Sequence, residues 1–292
     1  MFASKAIEQL WFRRRADGAF AARPGAGASV DATAWAVIAL AAAGESTARL
    51  EPPLAWLAAR QLEDGRLPLE PELRDVIWPT PLAMLAWSAA GTHADRVARA
   101  AEFLLRHTGR HWKRKPEDPV AHDTSIQGWP WVLGTHSWTV PTALALLALR
   151  RAGRGDHPRV AEGVAMLIDR QLPAGGWNYG NTLVFGQTLR PMADTTGAAL
   201  AALAGLTSRD KVAASIHYLE GAVSRIRTPL SLGWGLLGLA AWDLRPAPAA
   251  QWIEQSLAVS PHTGPYETAA LAVLLAAAFA PRGLLEIQAK GG

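Results

Sequence analysis

Cysteine is missing from the 292-residue chain, which excludes disulfides, thiolate nucleophiles and Cys-containing zinc sites. Charge is scarce. Asp, Glu, Lys and Arg make up 18% of the residues, below the roughly 25% usual for soluble domains. The net charge of +4 is small, and no basic–aromatic pattern of a nucleic-acid module is present, so no nucleic-acid partner is expected. Long apolar runs are lacking too. The longest lies near residues 269–280, short of the roughly 20 that span a bilayer. The stretch up to Arg15 has no apolar core of secretory length, so a cytoplasmic location is expected, with peripheral membrane contact left open. Tyr and Phe are few, at 3 and 6, beside 13 Trp. That tryptophan surplus, and an apolar fraction of 50% that excludes a disordered chain, are what remains to be explained.

A repeat accounts for much of it. A Thr or Ser opens an Ala/Leu-rich segment again and again: Thr33-AWAVIALAAAG, Thr80-PLAMLAWSAAG, Thr142-ALALLALRRAG, Thr196-GAALAALAG, Ser231-LGWGLLGLAAW and Thr268-AALAVLLAAA. In the first three, Gly44, Gly91 and Gly153 follow the Thr by the same eleven positions, as helix-ending glycines would. Thr33 to Thr268 spans five intervals averaging 47 residues. These segments are apolar all round, which predicts helices buried on every side. Between them, residues 53–62, 96–107, 159–172, 211–225 and 249–257 carry their charges on one face, which predicts solvated outer helices. The expected fold is all-α, a single α/α toroid of six helical hairpins with inner and outer rings. Closure is favoured over an open solenoid because no capping repeat is present. Residues 1–292 are read as one toroid domain, with an insertion at about 106–134.

The loops joining outer to inner helices share a pattern as well: Gln61-LEDGRL, Gln171-LPAGGWNYG and, more loosely, Gln9-LWFRRRADGAF. With Gly128-WPWVLGTHSWTVPTALALLAL149, these stretches resemble the squalene–hopene cyclase and protein prenyltransferase β-subunit superfamily, whose mark is a QW-type turn. The resemblance covers essentially the whole chain and implies the toroid fold. It also implies an isoprenoid ligand, polyprenyl or triterpenoid, in an aromatic-lined central cavity. The Gln amide and Trp ring of such turns are expected to be structural, bonding free backbone groups at helix ends.

In a toroid the inner-helix N-termini ring one mouth. The residues placed there include Asp31, Trp78, Trp138, Asp194, Tyr266 and Glu267. Aromatic faces beside carboxylates suit a cation in an apolar cavity. Class II cyclases of the resembling superfamily protonate an alkene with the middle Asp of a D-x-D-D motif. Aligned on Thr196, this chain offers Met192-Ala193-Asp194-Thr195, so only that middle position, Asp194, is matched as a catalytic acid. A helix-capping role is the competing reading for Asp31 and Asp194. Candidate substrate contacts are Asp31, Trp78, Trp129, Trp131, His136, Trp138, Tyr179, Trp234, Tyr266 and Glu267. The zinc site of the prenyltransferases needs a Cys, so no metal is expected, and no cofactor. A basic run, Arg106-HTGRHWKRK115, could hold an acidic head group or be a solvated loop. The alternatives to an enzyme of isoprenoid chemistry are a non-catalytic lipid-binding or protein-interaction toroid and a carbohydrate-active (α/α)6 enzyme.

Overall fold

The structure, a computed structural model, describes residues 2–291. Twelve α-helices follow one another: α1 (Phe2–Phe12), α2 (Val30–Ala42), α3 (Thr47–Ala58), α4 (Pro79–Ala90), α5 (Ala94–Arg106), α6 (Thr139–Arg151), α7 (Pro158–Asp169), α8 (Ala193–Leu203), α9 (Arg209–Val223), α10 (Pro229–Ala240), α11 (Ala249–Thr263) and α12 (Thr268–Phe279). A short antiparallel hairpin, β1 (Leu183–Val184) and β2 (Gln187–Thr188), interrupts the loop before α8. The even-numbered helices form the inner ring. Each packs on the next, and α12 closes the circle on α2. The outer helices cover the grooves, α3 between α2 and α4, α9 between α8 and α10, and α11 between α10 and α12. Six helical hairpins in two rings, the α/α toroid that the Ala/Leu repeats predict, are thus present.

The inner helices are buried on all sides because their sequences offer no polar face. In α2 every residue from Ala32 to Ala41 is buried. Their small residues permit unusually close crossings. A Cβ on Gly197 of α8 would stand 2.2 Å from the Trp234 carbonyl oxygen of α10, and one on Gly238 would stand 2.5 Å from the Gly197 carbonyl oxygen. The outer helices α5 and α7 bury one face only, Ala100, Ala101, Phe103 and Leu104 in α5 and Val160, Gly163, Met166 and Leu167 in α7. Helix α3 begins at Thr47, six residues before the expected start, and carries Pro52 and Pro53 inside it. The Ser46 hydroxyl caps it by accepting the Arg49 N–H, and burial of Leu50, Leu54 and Leu57 extends it past prolines that sequence propensity would treat as a boundary. Gly44, Gly91 and Gly153 all take positive φ just beyond their helices.

One recurrent hydrogen bond ties loop to ring. The Thr33, Thr80, Thr142 and Thr196 hydroxyls accept the backbone N–H of Phe20, Leu67, Trp129 and Trp177 at 2.9–3.0 Å. The Thr that opens each repeat is therefore a loop anchor. The preceding glutamines bind outward: the Gln61 amide donates to the Arg96 carbonyl at 2.9 Å and the Gln171 amide to the Ser215 hydroxyl at 2.6 Å. The C-terminal ends of the inner helices are covered by the chain's last segment. There Arg151 donates to the Leu285 and Ile287 carbonyls, Ala289 N–H to the Ala89 carbonyl and Lys290 N–H to the Glu45 carbonyl. Arg150 and Arg245 meet the carbonyls of Ala202 and Ala277 at the same end, where cations complement the helix dipoles. The opposite mouth is ringed by inner-helix N-termini, and Asp31, Trp78, Trp138 and Asp194 stand at the starts of α2, α4, α6 and α8.

Candidate functional site at the N-terminal mouth

Asp194 stands in the first turn of α8, half-buried. Its Oδ1 is buried and has no hydrogen-bond partner. Neither Asp194 nor Asp31 is an N-cap; those positions are Met192 and Ser29. Both carboxyls lie one turn inside, where the helix dipole favours a negative charge, and Asp31 accepts the Ser29 hydroxyl. The capping alternative therefore fails for both residues on position. Near Asp194 lies Tyr218 of α9, whose hydroxyl donates to the Pro191 carbonyl at 2.9 Å. Burial, and after it the negative charge of Asp194, hold that hydroxyl above the ordinary tyrosine value.

The aromatic candidates divide. Trp78 and Trp131, both half-buried, meet edge-on with ring centroids 5.8 Å apart. Trp138 lies against His136 at 4.3 Å. Tyr179, 46% exposed, precedes Gly180, whose backbone packs on Trp138, and its carbonyl accepts the Thr139 N–H. His136, Trp138 and Tyr179 thus lie at the start of α6, and the Trp78–Trp131 pair at the start of α4. Trp129 does not. It is buried, its indole N–H donates to the Leu104 carbonyl at 2.9 Å, and Arg159 covers its ring. Trp177, in the equivalent position of the next repeat, donates to the Leu167 carbonyl. Trp234 points into the ring, 5.4 Å from Trp35 and edge-on to it. Tyr266 binds the Ser256 carbonyl through its hydroxyl, and Glu267 is exposed at the start of α12.

The insertion between α5 and α6 carries no regular element. It is nevertheless fastened on both flanks. On one side, Ile77 N–H donates to the Trp131 carbonyl and Leu133 N–H to the Asp75 carbonyl. On the other, Phe185 N–H donates to the Pro119 carbonyl. Beneath it lies a cavity of about 130 Å3, lined by Arg110, His111, His122, His136, Ser137 and Arg170 among others. Sequence reasoning flagged the basic run and His136 but missed Arg170. Its only sequence signal is its place directly before the Gln171 turn, at the C-terminal cap of α7. Among the described residues, no cluster of three or more His, Asp or Glu is placed to hold a metal ion, and no helix is long and apolar enough to cross a membrane.

Comparison with known proteins agrees with this architecture. No protein-family model matches the chain. A squalene–hopene cyclase from Bradyrhizobium diazoefficiens is 36% identical over 106 residues, a match covering 35% of this chain and only 15% of that relative. Two solved structures align almost end to end. A protein from Actinoplanes has a TM-score of 0.61 at 15% identity, over 94% of this chain and 98% of that one. A type II terpene cyclase from Scytonema has a TM-score of 0.60 at 14% identity, over 96% and 97%. The chain is an α/α toroid that resembles the terpenoid-cyclase-like superfamily.

Proposed function

We propose that this toroid takes an isoprenoid chain at its N-terminal mouth and acts on it in the manner of a class II terpene cyclase, with Asp194 as the acid. The observation that carries the reading is the buried, unpartnered Oδ1 of Asp194. An oxygen with no competing hydrogen-bond partner is free to meet a bound alkene and deliver a proton to it. The proton would pass to one alkene carbon, whose π electrons form the new C–H bond, leaving a carbocation on its neighbour. Trp78, Trp131 and Trp138 would offer π faces to that cation. The solved Scytonema cyclase that this chain covers by 97% supports the idea that a toroid of this size suffices. The reading treats residues 1–292 as one domain, with about 106–134 as an insertion roofing the mouth.

A second reading, binding without chemistry, is favoured by one observation: Trp35 and Trp234 fill the ring where a substrate tail would extend. Incubation with squalene and a panel of polyprenols separates the two. Cyclised product from the wild type, lost in Asp194→Asn with the ligand still bound, is the expected result. Ligand retained with no product in either protein would leave the binding reading.

A further inference from the structure

The cavity beneath the insertion contains two polar side chains that are nine-tenths buried and unsatisfied. Arg170 is 4% exposed and His122 is 8% exposed. The Arg170 guanidinium donates once, from Nη2 to the Asp123 carbonyl at 3.2 Å, while Nε and Nη1 have no hydrogen-bond partner. Its counter-charge, Asp169, stands 3.6 Å from Nη1, outside hydrogen-bonding reach, and also accepts the Asp123 N–H. His122 Nδ1 is likewise buried without a partner. Buried polar groups are satisfied almost without exception in folded proteins, so two unused groups on one small cavity point to an external partner.

The rest of the lining says what kind. Arg110, on the exposed side of the loop, adds a second cation. His111 bonds the Thr108 hydroxyl at 2.9 Å and faces Ser137 at 3.5 Å, and His136 completes the wall. The carboxylates nearby, Asp123 and Asp169, are engaged with the Ser125 hydroxyl and the Asp123 amide and are not among the lining residues. A guanidinium, a second arginine, imidazoles and a hydroxyl share about 130 Å3 with the apolar walls of Trp112 and Val120, and these donors match a compact tetrahedral oxyanion.

We propose that this cavity binds a phosphate group, with Arg170 and His122 as its buried ligands and Arg110 at its entrance. The phosphate would be either free or the head group of a polyprenyl phosphate, since His136 on the cavity wall lies against Trp138 of the mouth. The site does not depend on Asp194 acting as an acid. Burial pushes the Arg170 guanidinium down to about 10, leaving it charged at neutral pH.

Calorimetric titration of the whole chain with inorganic phosphate, inorganic diphosphate, a polyprenyl diphosphate and the matching polyprenol tests the assignment. Saturable binding of at least one phosphorylated probe is expected. It should weaken about ten- to a hundredfold in Arg170→Gln, the loss of charge-assisted hydrogen bonds, and about tenfold in Arg110→Glu, an exposed charge reversal. Because Arg110 is exposed, its variant keeps the test alive if Arg170→Gln does not fold. Binding of the inorganic anions identifies free phosphate as a sufficient ligand, whereas binding of the polyprenyl diphosphate alone identifies a head group. No saturable binding of any phosphorylated probe, or binding unchanged in Arg110→Glu, overturns the proposal. Polyprenol binding and turnover report separately on the proposed cyclase activity, which stands or falls without this cavity.

Discussion

Trp35 and Trp234 touch across the interior of the inner ring, edge to face with centroids 5.4 Å apart. They come from α2 and α10, which are separated in the ring by α12, so their contact can only be made on the inner side. Each is 5% exposed. The pair acts as a plug, and the aromatic lining that the sequence suggests for a cavity is here turned into packing.

The plug makes the first prediction. Trp234→Ala should cost about 3–5 kcal/mol of stability, the usual range for deleting a large aromatic from a core. It should also open a dry void that binds a small apolar ligand. Thermal unfolding with and without benzene checks both, and a stabilising shift confined to the variant is the expected outcome.

A second prediction concerns the Thr anchors. In Thr196→Val the Trp177 N–H loses its acceptor while remaining buried, which should destabilise by about 1–3 kcal/mol. Thr196→Ser keeps the oxygen and should lie much nearer to wild type. The same contrast is expected at Thr142, whose hydroxyl holds the Trp129 N–H. A larger loss for Ser than for Val in denaturant titrations would show that the methyl group, not the bond, matters.

Two glycines of similar backbone geometry should respond very differently to alanine. Gly65 has φ +98° and an added Cβ would stand 2.2 Å from the Arg99 carbonyl oxygen, whereas Gly91, at φ +69°, has open space around it. Gly91→Ala should cost about 1–2 kcal/mol, the left-handed conformation alone. Gly65→Ala adds a backbone clash between the turn and α5 and should cost visibly more, or prevent folding. Comparable melting temperatures for the two variants would refute this account of the turn.

Acid should weaken the fold through the insertion. His111 is held below the ordinary imidazole value of 6.5, by burial first, with the charges of Arg159 and Arg170 adding to it against a hydrogen bond to Thr124 and the charge of Glu162. His136 is lowered by burial. The unfolded chain therefore takes up protons near pH 6.5 while the folded chain resists until lower pH. The stability these groups contribute is complete above that value and is lost as pH falls toward the folded-state values. The fall in unfolding free energy between about pH 7.5 and 5.5 should be shallower in a His111→Gln, His136→Gln double variant. An unchanged slope would place the acid sensitivity elsewhere.

Much of the ring is legible in the sequence. Thr33, Thr80, Thr142, Thr196 and Thr268 with their Ala/Leu runs mark inner helices because a helix buried on all sides leaves an unbroken apolar pattern, a local property of the chain. Gly44, Gly91 and Gly153 mark helix ends for a similarly local reason, the left-handed φ that glycine adopts without strain. The candidate mouth was half legible. Trp78 and Trp138 stand at inner-helix starts, which the repeat reveals, whereas their pairing with Trp131 and His136 does not show in the repeat.

The rest depended on distant partners. Trp129 and Trp131 are two positions apart, and nothing in that spacing says that one reaches the Leu104 carbonyl while the other meets Trp78. Arg170 looked like any charge at the end of an outer helix. Only the insertion folding back over it removes it from water and puts it on one cavity wall with His122. Helix identity and order follow from short-range pattern and the sequence alone determines them here. Whether an aromatic is plug, staple or mouth, and whether a charge is solvated or buried, is decided by which segments meet across the closed ring.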